Sequence, residues 1–210
     1  MKRVSLTIIM VCCMLAAAAQ NVSRGGQKSA AINICDLVSD YIAPDADEGE
    51  EEECDESMNA LRGAWERYLN GLPQEEGETL VVDVKNGYVC LERRSTYESV
   101  EDVGRWEMCY WNEADGKHKL FAYNVAWFRD GKYSPGQYDG LSFCRYDNAG
   151  KIDRDWPGLA LDVLYDDLEP GEMPSFALPR TGKNIVVTLW KDNEKLRQTT
   201  LKWDGHGFTK

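Results

Sequence analysis

Between residues 57 and 72 the apolar side chains Met58, Leu61, Trp65, Tyr68, Leu69 and Leu72 recur at helical spacing. They lie on one stripe, which predicts an amphipathic α-helix. Asp55 or Ser57 caps its start, and Gly71 followed by Pro73 stops it. Residues 29–43 show the same period more briefly. Ile34, Val38, Tyr41 and Ile42 share a stripe, Ser29 can cap it, and Pro44 ends it.

From residue 79 the period falls to two. Thr79–Val84 and Tyr88–Glu92 flank Asn86-Gly87, and Arg105–Asn112 and Lys119–Trp127 flank Ala114-Asp115-Gly116. Asp130-Gly131 turns next. Leu141–Tyr146 runs into Asp147–Gly150, Asn184–Lys191 and Lys195–Trp203 flank Asp192-Asn193, and Asp204-Gly205 closes the series. Short alternating runs between tight-turn signals predict an antiparallel meander of about eight strands. No helical segments separate the runs, so parallel crossovers are not expected.

One strand is informative about layering. Phe121, Tyr123, Val125 and Trp127 share one face, and Leu120, Ala122 and Ala126 share the other with Asn124. Both faces are apolar enough to be covered, which makes this strand central. The expected fold is therefore α+β: one or two N-terminal helices packed on a curved antiparallel β-meander or open barrel.

The first residues follow another rule. Lys2-Arg3, an apolar stretch from Val4 to Leu15, and then Ala16–Ala19 form a secretory signal peptide, with cleavage after Ala19. The apolar stretch is too short for a membrane anchor, which needs about 20 residues. The domain plan is a signal peptide (1–19), an extension with a short helix and an acidic linker (20–56), and one helix-plus-sheet domain (57–210). The expected location is secreted, periplasmic or at the cell surface, with no membrane insertion after the leader is removed.

Charge narrows the partners. The chain carries 24 Lys and Arg against 36 Asp and Glu, a formal net charge of −12, and loss of Lys2 and Arg3 makes it more negative. Such a surface repels phosphate backbones, so nucleic acid is not an expected partner. Much of the excess sits in DADEGEEEECDE (residues 45–56), which like-charge repulsion keeps extended. Past the leader remain Cys35, Cys54, Cys90, Cys109 and Cys144, an odd number, with no C-x-x-C pair. A Cys35–Cys54 bridge and five buried thiols are both open.

No motif fixes a reaction. His118 and His206 sit at turns without a second histidine at metal spacing, so no metal and no cofactor is expected. Asp153, Asp155, Asp162, Asp166 and Asp167 gather near Trp156 and could supply the paired carboxylates of a glycosidase. Two long connections, residues 128–140 and 165–182, interrupt the meander, and loops of that length are functional or poorly ordered. Tyr133, Tyr138, Trp156 and Phe176 lie in or near them, and exposed flat rings beside carboxylates suit stacking on sugars or gripping a peptide.

The succession of leader, acidic spacer and β-rich domain closing on Leu201–Phe208 resembles the uncharacterised secreted β-rich proteins of Bacteroidetes-type bacteria. That resemblance implies export and carries no catalytic residue. The expected function is an exported non-enzymatic binding module for a glycan or protein partner, with Tyr133, Tyr138, Trp156 and Phe176 as contact rings. A carboxylate-dependent hydrolase of an extracellular polymer is the first alternative. An acidic inhibitor or chaperone-like partner of a basic exported protein is the second.

Overall fold

The computed structural model describes residues 32–43, 56–136, 139–159 and 161–210. The leader, the acidic run, Cys54 and Tyr138 lie outside the described residues. The fold class is α+β, built as a helical layer and two stacked antiparallel sheets.

The first helix, α1 (Ile34–Tyr41), starts later than the pattern suggests. Its cap is Asn33, whose side chain accepts from the Cys35 N–H at 2.8 Å while Asp36 accepts from the Asn33 N–H. This reciprocal pairing satisfies two donors that a helix start leaves open. The second helix, α2 (Glu56–Leu69), ends as its sequence predicts. Gly71 takes φ +65°, its N–H bonds the Tyr68 carbonyl, and the Leu72 N–H bonds the Arg67 carbonyl. These are the two bonds of a Schellman stop. Arg62 Nε donates to the Ile42 carbonyl at 2.7 Å, and Trp65 Nε1 donates to Ser39 Oγ at 2.9 Å, so the helices hold each other as well as the sheet.

The first sheet runs β1 (Glu78–Asp83), β2 (Tyr88–Tyr97), β3 (Val100–Asn112) and β4 (His118–Arg129) in sequence order. Beyond β4 lie β5 (Lys132–Tyr133) at one end and β6 (Gly140–Asp147) along the rest of the same edge. A single helical turn, α3 (Asp162–Tyr165), precedes the second sheet. That sheet comprises β7 (Met173–Ala177), β8 (Ile185–Lys191), β9 (Glu194–Trp203) and β10 (Phe208–Thr209), in the order β10-β9-β8-β7.

The alternation read for β4 is what separates the layers. Phe121, Tyr123 and Val125, with Val89, Leu91, Trp106 and Met108, face the helices and pack on Ile34, Leu37, Leu61 and Trp65. Leu120, Ala122, Cys109 and Trp111 face the second sheet and pack on Ile185, Val187, Leu201 and Trp203. Neither sheet closes into a barrel, because the first has both faces covered and so forms the middle layer.

Two local outcomes differ from the sequence pattern. Residues 93–104 belong to one long hairpin whose turn is Glu98-Ser99, with φ of 48° and 71°. Neither residue is a usual choice for that turn, so the sequence carries no signal for it. The connection 165–182 is not one loop, since it contains β7. Pro174 is accommodated because β7 is the edge strand of its sheet, where a residue lacking an N–H loses no ladder bond.

Candidate functional site

Two turns docked side by side build a concave surface. The β3–β4 connection is closed by the Glu113 N–H bonding the His118 carbonyl at 3.0 Å. Asp115 Oδ1 accepts from the N–H groups of Lys117 and His118. The turn after β6 is organised alike: Asp147 Oδ1 accepts from Ala149 and Lys151 N–H groups, and Gly150 takes φ +84°. A Cβ at Gly150 would lie 2.5 Å from the end of the Ile32 side chain, which would have to move, and the φ of +84° strains any other residue there. Asn148 joins the turns, its N–H to the Lys117 carbonyl and its side chain to the Gly116 carbonyl.

These turns, with Asp40 of α1, enclose a cleft of 790 Å³. His118, Lys151, Arg154 and Asp155 line it, and Trp156 follows directly, half-buried against the inter-sheet core. Behind His118 sits a tight charged cluster. Arg145 Nη2 lies 2.8 Å from Glu113 Oε2, 3.3 Å from Asp115 Oδ2 and 3.0 Å from His118 Nδ1, and Nη1 reaches Asp153 at 3.5 Å. His118 Nδ1 is 2.5 Å from Asp115 Oδ2. That contact and two backbone N–H donors hold the Asp115 carboxyl well below its usual range. A second cleft, of 460 Å³, lies by Leu164, Asp167, Arg197 and Lys210, where Arg197 pairs with Glu172 and Lys210 with Asp167.

Family models, characterised proteins and solved structures were all compared with the chain, and none matches. The functional reading therefore rests on this geometry.

The sequence-derived rings divide. Tyr133 is buried, packed with Phe128, Ala126 and Trp190. Phe176 is buried between the sheets. Neither ring is presented to a ligand in this fold, because β5 and β7 turn those stretches inward. Trp156 follows the cleft-lining Asp155 in the chain, and its half-buried ring packs against the inter-sheet core. Of the paired carboxylates considered for a glycosidase, Asp155 lines that cleft, and the side chain of Asp162 lies outside the described residues.

The carboxyls that burial pushes upward are elsewhere. Glu107 is 3% exposed between the sheets, and Asp139 is half-buried beside Trp127, whose N–H it accepts at 3.1 Å. Neither lines either cleft. Among the described residues Cys35, Cys90, Cys109 and Cys144 form no disulfide with one another, and the Cys35–Cys54 pairing lies outside the described residues through Cys54. Burial raises all four, Cys90 to about 11, which holds them away from the thiolate form a nucleophile requires. Cys109 pairs across the hairpin with Ala122, whereas His118 begins β4, opposite Asp147.

The feature that sequence reading missed is Arg145. Its partner Glu113 is 32 residues distant, and only the β4–β6 pairing brings them together.

Among the described residues no helix is long and apolar enough to cross a membrane.

Proposed function

We propose that the protein is an exported, non-enzymatic binding module that holds a glycan in the cleft beside His118, Lys151, Arg154 and Asp155. One observation carries this reading. In the 790 Å³ cleft, Lys151, Arg154 and Asp155 form no ion pair among the described residues, so their polar groups are free to meet hydroxyls. The half-buried Trp156 beside them supplies a flat apolar surface of the kind sugars stack on. The export half of the reading rests on residues 1–19.

The hydrolase alternative is weaker. General acid catalysis needs a carboxyl raised toward the working pH inside the cleft. The raised carboxyls, Glu107 and Asp139, line neither cleft.

The test is retention of the exported chain on a panel of immobilised glycans, compared with Trp156→Ala and Asp155→Asn. Trp156→Ala should cost about tenfold or more in affinity for the retained glycan while the circular dichroism spectrum stays unchanged. Equal retention by wild type and both variants would refute the reading. Capture of a protein with no glycan retained would refute the glycan assignment.

A further inference from the structure

We propose that the open edge of β9, with the 460 Å³ cleft beside it, takes up an extended acidic peptide of a partner protein as an added strand. This goes beyond the glycan reading and does not depend on it.

The pairing of β9 is one-sided. The strand runs from Glu194 to Trp203, and β8 pairs along one side of it. On the other side β10 pairs only at Lys202 and Trp203. From Lys195 to Leu201 that outer side meets no strand among the described residues. A row of backbone N–H and C=O groups without a neighbouring strand is a template for another chain. The strand is exposed from Glu194 to Gln198, so the template is reachable.

The second cleft borders this same stretch. Arg197, Gln198 and Thr199 line it, and Leu164, Leu168 and Leu189 give it an apolar floor. Lys210, which follows β10, also lines it and pairs with Asp167. Side chains of an added strand would alternate between two faces. Apolar ones would meet the leucines, and charged ones would meet the polar rim.

Charge selects the partner. The whole chain holds 24 Lys and Arg against 36 Asp and Glu, yet residues 173–210 hold seven against three. Lys195 begins the open edge and Lys202 borders its other end, and neither forms an ion pair among the described residues. Two copies of this edge would set Lys195, Arg197 and Lys202 against like charges, which disfavours self-pairing. Acidic side chains on an incoming strand would meet the free lysines instead. Main-chain bonds then supply affinity, and charge supplies the choice of peptide.

The probe is a short capped peptide alternating Glu and Val, labelled for fluorescence anisotropy and titrated with the chain. It should bind, and backbone amide NMR should show its largest shifts at residues 195–201. A peptide alternating Lys and Val should bind about tenfold more weakly or worse. N-methylation of alternate residues of the Glu–Val peptide removes strand N–H donors and should cost about tenfold or more. Lys195→Glu combined with Lys202→Glu should weaken binding by about tenfold while the circular dichroism spectrum stays unchanged. The proposal is overturned if the Glu–Val peptide does not bind, if the Lys–Val peptide binds as tightly, if N-methylation changes nothing, or if the shifts centre elsewhere. Uptake of anionic lipid vesicles with no peptide bound, or self-association that the two lysine reversals abolish, would overturn the assignment to a partner peptide. None of these results alters the glycan experiment.

Discussion

Glu107, on the middle strand β3, accepts the backbone N–H of Leu178 from the second sheet at 3.3 Å. Asn124 completes the tie by donating to the Phe176 carbonyl at 3.1 Å. Together they satisfy two backbone groups at the end of β7, an edge strand whose outer groups would otherwise be unmet. Tyr88 Oη donates to the same carboxylate at 2.7 Å. Truncation by Glu107→Ala strands two buried donors, each costing about 1–3 kcal/mol. The expected loss is about 2–5 kcal/mol, read from the urea midpoint.

The same carboxyl makes stability depend on pH. Burial raises its folded-state pKa above the ordinary value of 4.5. Its stabilising contribution is complete below that ordinary value and is lost as pH rises through the raised one. Subtracting the stability curve of Glu107→Gln from that of the wild type isolates this effect. The difference should favour the wild type most in acid and shrink as pH rises from 4.5. A difference that grows with pH would contradict the burial argument.

The helical layer and the solvent-facing end of α2 should respond differently to truncation. Phe121 is fully buried against that layer, between Tyr41 and Tyr146. Phe121→Ala should cost about 3–5 kcal/mol. Leu69 belongs to the stripe read from the sequence but is 59% exposed, so Leu69→Ser should stay within about 0.5 kcal/mol. Chemical denaturation of the two variants checks the contrast.

Gly104 has no room for a side chain. A Cβ there would lie 2.8 Å from the rings of both Trp106 and Trp127, which meet edge-to-face at 5.4 Å. Gly104→Ala should destabilise by about 1–3 kcal/mol through overpacking, with a changed near-ultraviolet spectrum as those indoles shift.

The Glu98-Ser99 turn holds two non-glycine residues at positive φ. The turns at Asp130-Gly131 and Asp192-Asn193 use residues better suited to it. Replacing Glu98→Asn and Ser99→Gly together should stabilise the domain by about 1 kcal/mol or more, visible as a raised melting temperature.

Patterns that depend only on neighbouring residues were legible. The 57–72 stripe and its glycine stop, the two-faced β4, and the turns at Asp130 and Asp192 follow from local periodicity and turn chemistry. What escaped depends on partners distant in sequence. β7 lies inside the connection 165–182, and only its pairing with β8 at a sheet edge makes a strand of it. Tyr133 and Phe176 read as loop rings until pairing with β4 and β8 turns them inward. Asn124 stood out as a polar residue on an apolar face, but its role needed Phe176, 52 residues away. His118 reads as a lone turn residue until the β4–β6 pairing sets Arg145 beside it and its neighbours Glu113 and Asp115.

Backbone amide NMR of the chain, titrated with soluble glycans, tests the cleft most directly. The account predicts shifts concentrated at Asp40, His118 and residues 147–156. Shifts centred on the second cleft, near Arg197 and Lys210, or a uniformly unperturbed spectrum with every glycan, would contradict it.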